Sequence, residues 1–305
     1  MNPLPSVVVT VLNYNRFKDT IECLSSLKMC AYPEMTILVV DNGSTDSSAR
    51  YIGVAHPDIE IVATGKNEGY TGGVNCCIRE ALSKKPKYIL VLNNDTLVDP
   101  NFLFHLVNAL EEHPHGAAAI GTILAEHDRR TIWYAGGRMI SWRGLAIHEH
   151  KGKNVQLVDL GQTRKVTFVS GCMILFRTSI LEFTGLEDER FFMYLDDIEL
   201  SCRIQRKGFD LIYVPQSVIY HKVLLERESA FKLYYSVRNR LLFITSCLSG
   251  LVCTIAVTYF ILVIAVKSLF WKLTNPLLYK AAKFGLQDFF SRRYYEGRGF
   301  SEFGF

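Results

Sequence analysis

Tyr88-Ile89-Leu90-Val91-Leu92-Asn93-Asn94-Asp95 is an apolar run that ends abruptly in two carboxamides and a carboxylate. Its composition is that of a buried parallel strand. In an open α/β sheet, ligands bind beyond the carboxyl ends of the strands. Asn93, Asn94 and Asp95 therefore stand where a ligand is expected. A hard, oxygen-only cluster suits Mg²⁺ or Mn²⁺, and through the cation a diphosphate. The competing reading is a polar turn that merely closes the strand.

Strand and helix signals alternate on both sides of this run. Ser6–Leu12, Met35–Val40 and Ile59–Ala63 read as strands, with Ala117–Ile123 following later. Between them, Phe17–Met29, Thr71–Ser83 and Asn101–Glu112 have helical spacing, and Ser44 is placed to cap a helix running to about Val54. This βαβα order predicts an α/β fold, a mostly parallel Rossmann-like sheet with helices on both faces. Beyond residue 125 the pattern changes. Thr131–Ile147 reads as a hairpin or loop, and Lys165–Arg177 as a strand pair pivoting at Gly171. Leu195–Arg206 is helical and Asp210–Tyr220 strand-like. Leu241–Val266 then gives 26 residues without Asp, Glu, Lys, Arg or His. That exceeds the ~20 needed to cross a bilayer core. The expected division is a catalytic domain over 1–240, a hydrophobic membrane-associated segment over 241–270, and a basic, aromatic tail over 271–305.

With 305 residues, 49% of them hydrophobic, the chain can bury a large core. The net charge of +4 is mild, and its Lys and Arg are scattered through the first two thirds, which argues against a nucleic-acid binder. Eight cysteines include no CxxC pair, so they read as small hydrophobes in a reducing compartment. Met1–Pro5 lacks the regions of a signal peptide, which predicts a cytoplasmic catalytic part.

Four polar clusters fall at strand ends and hence on one sheet edge: Asn13–Arg16, Asp41–Asp46, Asn67–Asn75 and Asn93–Asp95. A base can stack on Tyr14, and Asp41 can accept a hydrogen bond from a pyrimidine ring N–H. Gly-rich Asn67–Asn75 lets backbone N–H groups approach an anion. The glycines also fit a loop whose needs are only those of backbone geometry. Asp196-Asp197-Ile198-Glu199 is a second acidic constellation. Acidic residues suit a helix N-terminus for its dipole alone. Yet the preceding Phe191-Phe192-Met193-Tyr194 forms an apolar wall, beside which a carboxylate gains a raised pKa and the reach of a general base. His221 matters only if it lies near Asp95, where neutral imidazole suits a Mn²⁺ shell.

These pieces, in this order, resemble the family 2 inverting glycosyltransferases of GT-A fold, and within them the bacterial rhamnosyltransferase-like members that build cell-surface polysaccharide. The resemblance covers Pro5 to Arg240. It rests on Val9–Asn15, Val39–Asp46, Asn67-Glu68-Gly69 with Gly73 and Asn75, Leu92–Asp95, Gly171, Phe191–Asp197, and Tyr235 with Arg238-Asn239-Arg240. It implies that Leu12, Tyr14, Asn15, Asp41, Asn67, Gly69, Gly73, Asn75, Asn93 and Asn94 bind the nucleotide sugar. Asp95 is implied as metal ligand, joined by His221. Asp197 matches the catalytic aspartate, with Asp196 where the family usually carries Glu and Glu199 where it carries Asp. Asn93 replaces the first Asp of the family's DXD motif.

The mechanism so implied is a single displacement that inverts the anomeric centre, with Asp197 taking the acceptor's proton. Mg²⁺ or Mn²⁺ is the implied cofactor, and a glycan or lipid-linked hydroxyl the implied acceptor. Trp133, Gly136, Gly171 and Cys172 are expected to line the acceptor site, where aromatic rings beside glycines offer a flat surface. The expected location is the cytoplasmic face of the cell membrane. The rival reading is a non-catalytic nucleotide-sugar-binding or scaffold protein of a polysaccharide assembly complex. Retention of Asp41, Asp95, Asp197 and His221 together argues against it. A Rossmann oxidoreductase is disfavoured by the missing GxGxxG fingerprint.

Overall fold

The computed structural model describes residues 3–222 and 229–303. Its first half alternates as expected: β1 (Val7–Asn13), α1 (Phe17–Lys28), β2 (Met35–Asp41), α2 (Ser48–Ala55), β3 (Glu60–Ala63), α3 (Gly69–Ser83) and β4 (Tyr88–Asn93). Then come β5 (Thr96–Val98), α4 (Phe102–Glu112), β6 (Gly116–Ala125), β7 (Ile132–Tyr134), β8 (Gly137–Ile140), β9 (Leu145–His148), β10 (Arg164–Val166) and β11 (Met173–Arg177). They are followed by α5 (Thr178–Thr184), α6 (Asp196–Arg206) and β12 (Asp210–His221). Helices α7 (Ala230–Cys247), α8 (Gly250–Thr274), α9 (Pro276–Phe290) and α10 (Gly299–Phe303) follow.

The main sheet has the order β10-β12-β6-β11-β4-β1-β2-β3. Strands β3, β2, β1 and β4 are parallel, β11 runs against both β4 and β6, and β12 is parallel to β6. Helices cover both faces of the parallel half. Val9, Val11, Leu38, Val39, Ile89 and Leu90 are therefore sealed from water, which explains their unbroken apolar runs.

Register does the positioning. Asn13 pairs with Asp41, and Leu12 pairs with Asn93, so three polar strand ends lie in adjacent rows. On the other side of the site, Thr96 of β5 pairs with His221 of β12, which brings Asp95 beside the histidine.

Several local expectations are corrected. Ser44 does not cap α2, which starts at Ser48 after a left-handed Ser47. The Ser44 hydroxyl instead folds back onto Asp41, 2.5 Å from Oδ1. The Gly-rich stretch opens a helix as its sequence suggests, but α3 begins two residues earlier, at Gly69. The strands within 165–177 do not pair with each other. β10 joins β12, while β11 joins β4 and β6, because the turn at Gly171 carries the chain to the end of β4. Within 131–147, β7 extends the main sheet and β8–β9 forms a separate hairpin.

The apolar run 241–266 is divided. Its first seven residues finish α7, where Leu241–Ile244 and Cys247 are buried. The chain breaks at Leu248-Ser249, and α8 takes the rest. Helix α8 is long and apolar enough to cross a membrane, with a mean hydropathy of 2.2 over a window that is only 17% buried. Ala256, Phe260, Ile264 and Trp271 face inward, whereas Leu251, Leu262, Val266, Leu269, Phe270 and Leu273 are exposed. Beyond it, the chain returns. Tyr234 donates to Asp288 (2.5 Å), Tyr235 to the carbonyl of Glu296 (2.8 Å), and Arg238 to that of Tyr295 (2.7 Å). The tail is thus seated on α7.

Candidate active site

The first part of the site is a polar row at the ends of β1, β2 and β4. Asp41 is almost wholly buried and accepts hydrogen bonds at Oδ1 from Asn13 Nδ2 (2.6 Å) and the Ser44 hydroxyl. Asn15 sits at a positive φ of 52° and binds the same turn through Ser44 (2.9 Å) and Thr45 (2.8 Å). Tyr14, between them, is half-buried. Asn67 Oδ1 accepts from the Gly69 N–H at 2.9 Å. Asn94 turns inward to the Thr20 hydroxyl (2.9 Å).

The glycines serve close packing. Gly69 has φ +74°, and a Cβ there would lie 2.6 Å from the carbonyl oxygen of Phe192. At Gly73 a Cβ would lie 2.7 Å from Leu12. Both let α3 approach its neighbours closely. Asn75 is committed to structure as well. It donates to the Glu187 carbonyl (2.9 Å) and to Glu189 (3.0 Å), and accepts from the Glu187 N–H (3.0 Å). Buried, it ties α3 to the Glu187–Glu189 segment.

The second part is Asp95 with His221. Asp95 Oδ1 lies 3.1 Å from His221 Nε2, but without hydrogen-bond alignment, and His221 Nδ1 is buried without a partner. Burial pushes the Asp95 carboxyl up, but His221 and Arg16 outweigh it and hold it below its ordinary value. Burial opposes charge on His221, yet the Cys172 thiol and Asp95 prevail and raise it. A buried carboxylate and imidazole with orphaned atoms fit a divalent cation, which can replace the proton between them. Among the described residues no cluster of three or more His, Cys, Asp or Glu side chains is arranged to hold a metal. Further ligands to such a cation would come from substrate or water.

The third part is the carboxyl group of Asp197, at the start of α6. Oδ2 accepts from the Gly171 N–H (2.9 Å) and Oδ1 from the Ile198 N–H (2.8 Å). Burial lifts its pKa to about 6 against these two donors. Asp196 is raised by burial and by the Asp197 charge. Glu187, unremarked in the sequence, faces Asp196 from the preceding segment. Burial and the charges of Asp196 and Asp197 hold its carboxyl well above the usual range, and its Oε2 is buried without a hydrogen-bond partner.

The loop before Asp196 is strained. Phe192, Tyr194 and Leu195 all have φ between 63° and 67°. Asn239 braces it, donating to the carbonyls of Phe191 (2.8 Å), Met193 (2.7 Å) and Tyr194 (3.0 Å). Arg238 adds a bond to Phe191 (2.9 Å). Asn239→Leu removes the Asn239 donors, leaving only the Arg238 bond to Phe191. It should cost about 1–3 kcal/mol per carbonyl left unpaired and lower kcat more than donor affinity. Thermal melting with donor titration checks this; unchanged turnover would mean the loop holds itself.

One cavity of about 450 Å³ joins the second and third parts. Asn93, Trp133, Gly171, Cys172, Asp197 and His221 all line it. Tyr70 stands at its back, donating to Asn93 Oδ1 (3.1 Å) and the Gly171 carbonyl (2.8 Å). Gly136 does not belong here. It packs behind the cavity against the Arg164–Glu149 ion pair, whose atoms would meet its Cβ at 2.7 Å. The Trp133 ring stands edge-on to His148 and His221, at 4.5 and 4.9 Å between centroids. Trp133→Ala should raise acceptor KM roughly 10-fold through lost ring contact. Initial rates against acceptor concentration test it, and an unchanged KM in a folded variant would assign Trp133 to packing alone.

A Rossmann-like, mostly parallel sheet with polar strand ends along its carboxyl edge, and a cavity beside it lined by a buried carboxyl pair, is the arrangement of a GT-A fold. The chain matches the model of glycosyl transferase family 2 over residues 6–185 and belongs to that family. It is a glycosyltransferase that moves sugar from a nucleotide donor. It is 28% identical over 238 residues to the N-acetylglucosaminyl-diphospho-decaprenol L-rhamnosyltransferase of Mycobacterium tuberculosis, covering 72% of this chain and 76% of that one. It is 24% identical to the low-salt glycan biosynthesis hexosyltransferase Agl10 of Haloferax volcanii, covering 78% and 75%. Among solved structures, the mannosyltransferase PcManGT of Pyrobaculum calidifontis, in complex with GDP-Man and Mn²⁺, shares the fold. The TM-score is 0.57 at 18% identity, over 95% of this chain and 76% of that one.

Proposed function

We propose that the chain is a metal-dependent inverting glycosyltransferase acting on a lipid-linked acceptor at the cytoplasmic face of the cell membrane. The donor is dTDP-rhamnose or a UDP-sugar. The observation that carries this reading is the cavity lined by both Asp197 and His221, with Asp95 3.1 Å behind the histidine. Asp95 and His221 would hold Mg²⁺ or Mn²⁺, which neutralises charge on the leaving diphosphate when bound. Asp41, Asn15 and Tyr14 orient the nucleoside. Asp197, ionised above pH 6, accepts the acceptor hydroxyl's proton as that oxygen attacks the anomeric carbon. Asp196 and Glu187, buried beside it, raise the carboxyl's basicity.

A screen of nucleotide sugars with lipid-linked acceptors, read as release of nucleoside diphosphate, tests this. Release that needs both Mn²⁺ and an acceptor supports it. Donor binding without release, for every donor and acceptor, favours the non-catalytic alternative.

The membrane is proposed as a partner because α8 leaves most of its apolar surface uncovered. We divide the chain into a catalytic domain (1–240), a membrane-associated segment (241–270) and a tail (271–305). The tail's bonds to α7 favour a segment that enters and returns over one that crosses. A cysteine placed at Ser301 should resist impermeant thiol reagents in intact cells and react after lysis. Labelling in intact cells would establish crossing, and recovery of the whole protein in the soluble fraction would remove the membrane from the reading.

A further inference from the structure

Two lysines at the cavity have no carboxylate partner among the described residues. Lys151, just beyond β9, and Lys232, in the first turn of α7, both line it. Lys151 Nζ stands 5.8 Å from the Trp133 ring centroid, and Lys232 Nζ 5.9 Å from that of Tyr194, so each is carried over an aromatic wall. Among the described residues, neither has a carboxylate within ion-pair distance. Burial, and then the charge of Lys232, lower the pKa of Lys151, so the two cations feel one another. Unpaired like charges at the edge of a cavity are unfavourable until an anion joins them.

The elements that carry them say which anion. The β8–β9 hairpin, which leads into Lys151, is docked at its tip on the apolar helix. Arg240 donates to the carbonyls of Gly144 (2.9 Å) and Arg143 (2.8 Å), and Trp142 meets Tyr259 of α8 at 5.3 Å between ring centroids. Lys232 sits on α7, which packs against α8. Neither lysine belongs to the strand ends β1, β2 and β4, where the nucleotide row lies. We propose that Lys151 and Lys232 form a phosphate-binding subsite for the phosphate of the acceptor, beside the base that takes the acceptor's proton. This rests on the lipid-linked acceptor proposed above. Two flexible ammonium groups suit a phosphate that arrives on a lipid carrier, since they act as point charges without fixed orientation.

The test uses the full-length protein in detergent, its Lys151→Gln and Lys232→Gln variants, the double variant, and the Arg counterparts. Farnesyl diphosphate is the binding probe, measured by calorimetry beside the donor's nucleoside diphosphate with Mn²⁺. Each Gln substitution should weaken farnesyl diphosphate roughly 10-fold, and the Arg variants should retain it. Nucleoside diphosphate affinity should stay within about twofold. The preference for a diphosphate-linked saccharide over the same saccharide as an alkyl glycoside should fall in parallel. Unchanged farnesyl diphosphate affinity overturns the subsite. An equal loss of nucleoside diphosphate affinity overturns it too, by assigning the lysines to the donor. If no lipid-linked acceptor is used at all, the acceptor reading falls separately, and lysine-dependent binding of farnesyl diphosphate still decides the subsite.

Discussion

Asp197→Asn is expected to lower turnover roughly 10²–10⁴-fold while leaving donor affinity within about twofold. The side chain keeps its size and one oxygen but cannot take a proton. Of its two backbone donors, Gly171 N–H and Ile198 N–H, one loses its acceptor. A melting curve beside the kinetics therefore separates chemistry from a local shift. The pH profile gives a second reading. A base must be ionised to act, and burial lifts Asp197 to about 6. Turnover by the native enzyme should thus fall as pH drops through about 6, approaching tenfold per unit well below it. Asp196 and Glu187 are buried beside Asp197 and share its electrostatics, so Glu187→Leu should displace that limb, whereas Glu187→Gln, which keeps a polar group of the same size, should displace it less. Near-normal transfer by Asp197→Asn would transfer the role to Asp196.

The row of polar strand ends was legible because its signals are local. A buried strand needs an unbroken apolar run, and the polar residue that ends it is visible at once, as at Asp41 and Asn93. Parallel register then aligned those ends without any further information. The second half was less legible because its contacts are distant in sequence. Nothing near Glu187 marks it as a buried acid; its surroundings come from Asn75 and Asp196. The pairing of β11 with β4 could not be inferred from a stretch that reads as its own strand pair. Asn239 stands in a motif with Arg238 and Arg240, but its work on the Phe191–Tyr194 carbonyls appears only when α7 is folded against that loop. Gly136 was grouped with Trp133 because they are neighbours in sequence. The chain turns between them, leaving one on the cavity and the other behind it.

Asp95→Asn is expected to abolish the dependence of donor binding on Mn²⁺. The carboxylate ends a buried turn after β4, with one oxygen 3.1 Å from His221 and no hydrogen bond to that oxygen. Such an arrangement is costly unless something positive occupies it. A proton shared with His221 can do so in the free protein, and a divalent cation can do so when a diphosphate arrives. The amide keeps the shape and removes the charge. Loss of a supporting partner already costs a metal site about 10–100-fold, so loss of the charged ligand should cost at least that in donor affinity with Mn²⁺ present. Without the cation, native protein and variant should bind the donor alike. His221→Gln should give a smaller loss, because it removes a neutral ligand and leaves the carboxylate in place. Calorimetry with UDP- and dTDP-sugars, with Mn²⁺ or with chelator, separates these cases. Donor affinity that responds to Mn²⁺ equally in native protein and Asp95→Asn would place the cation elsewhere. Donor affinity that ignores Mn²⁺ in both would leave charge neutralisation of the diphosphate to the protein's own cations and backbone donors.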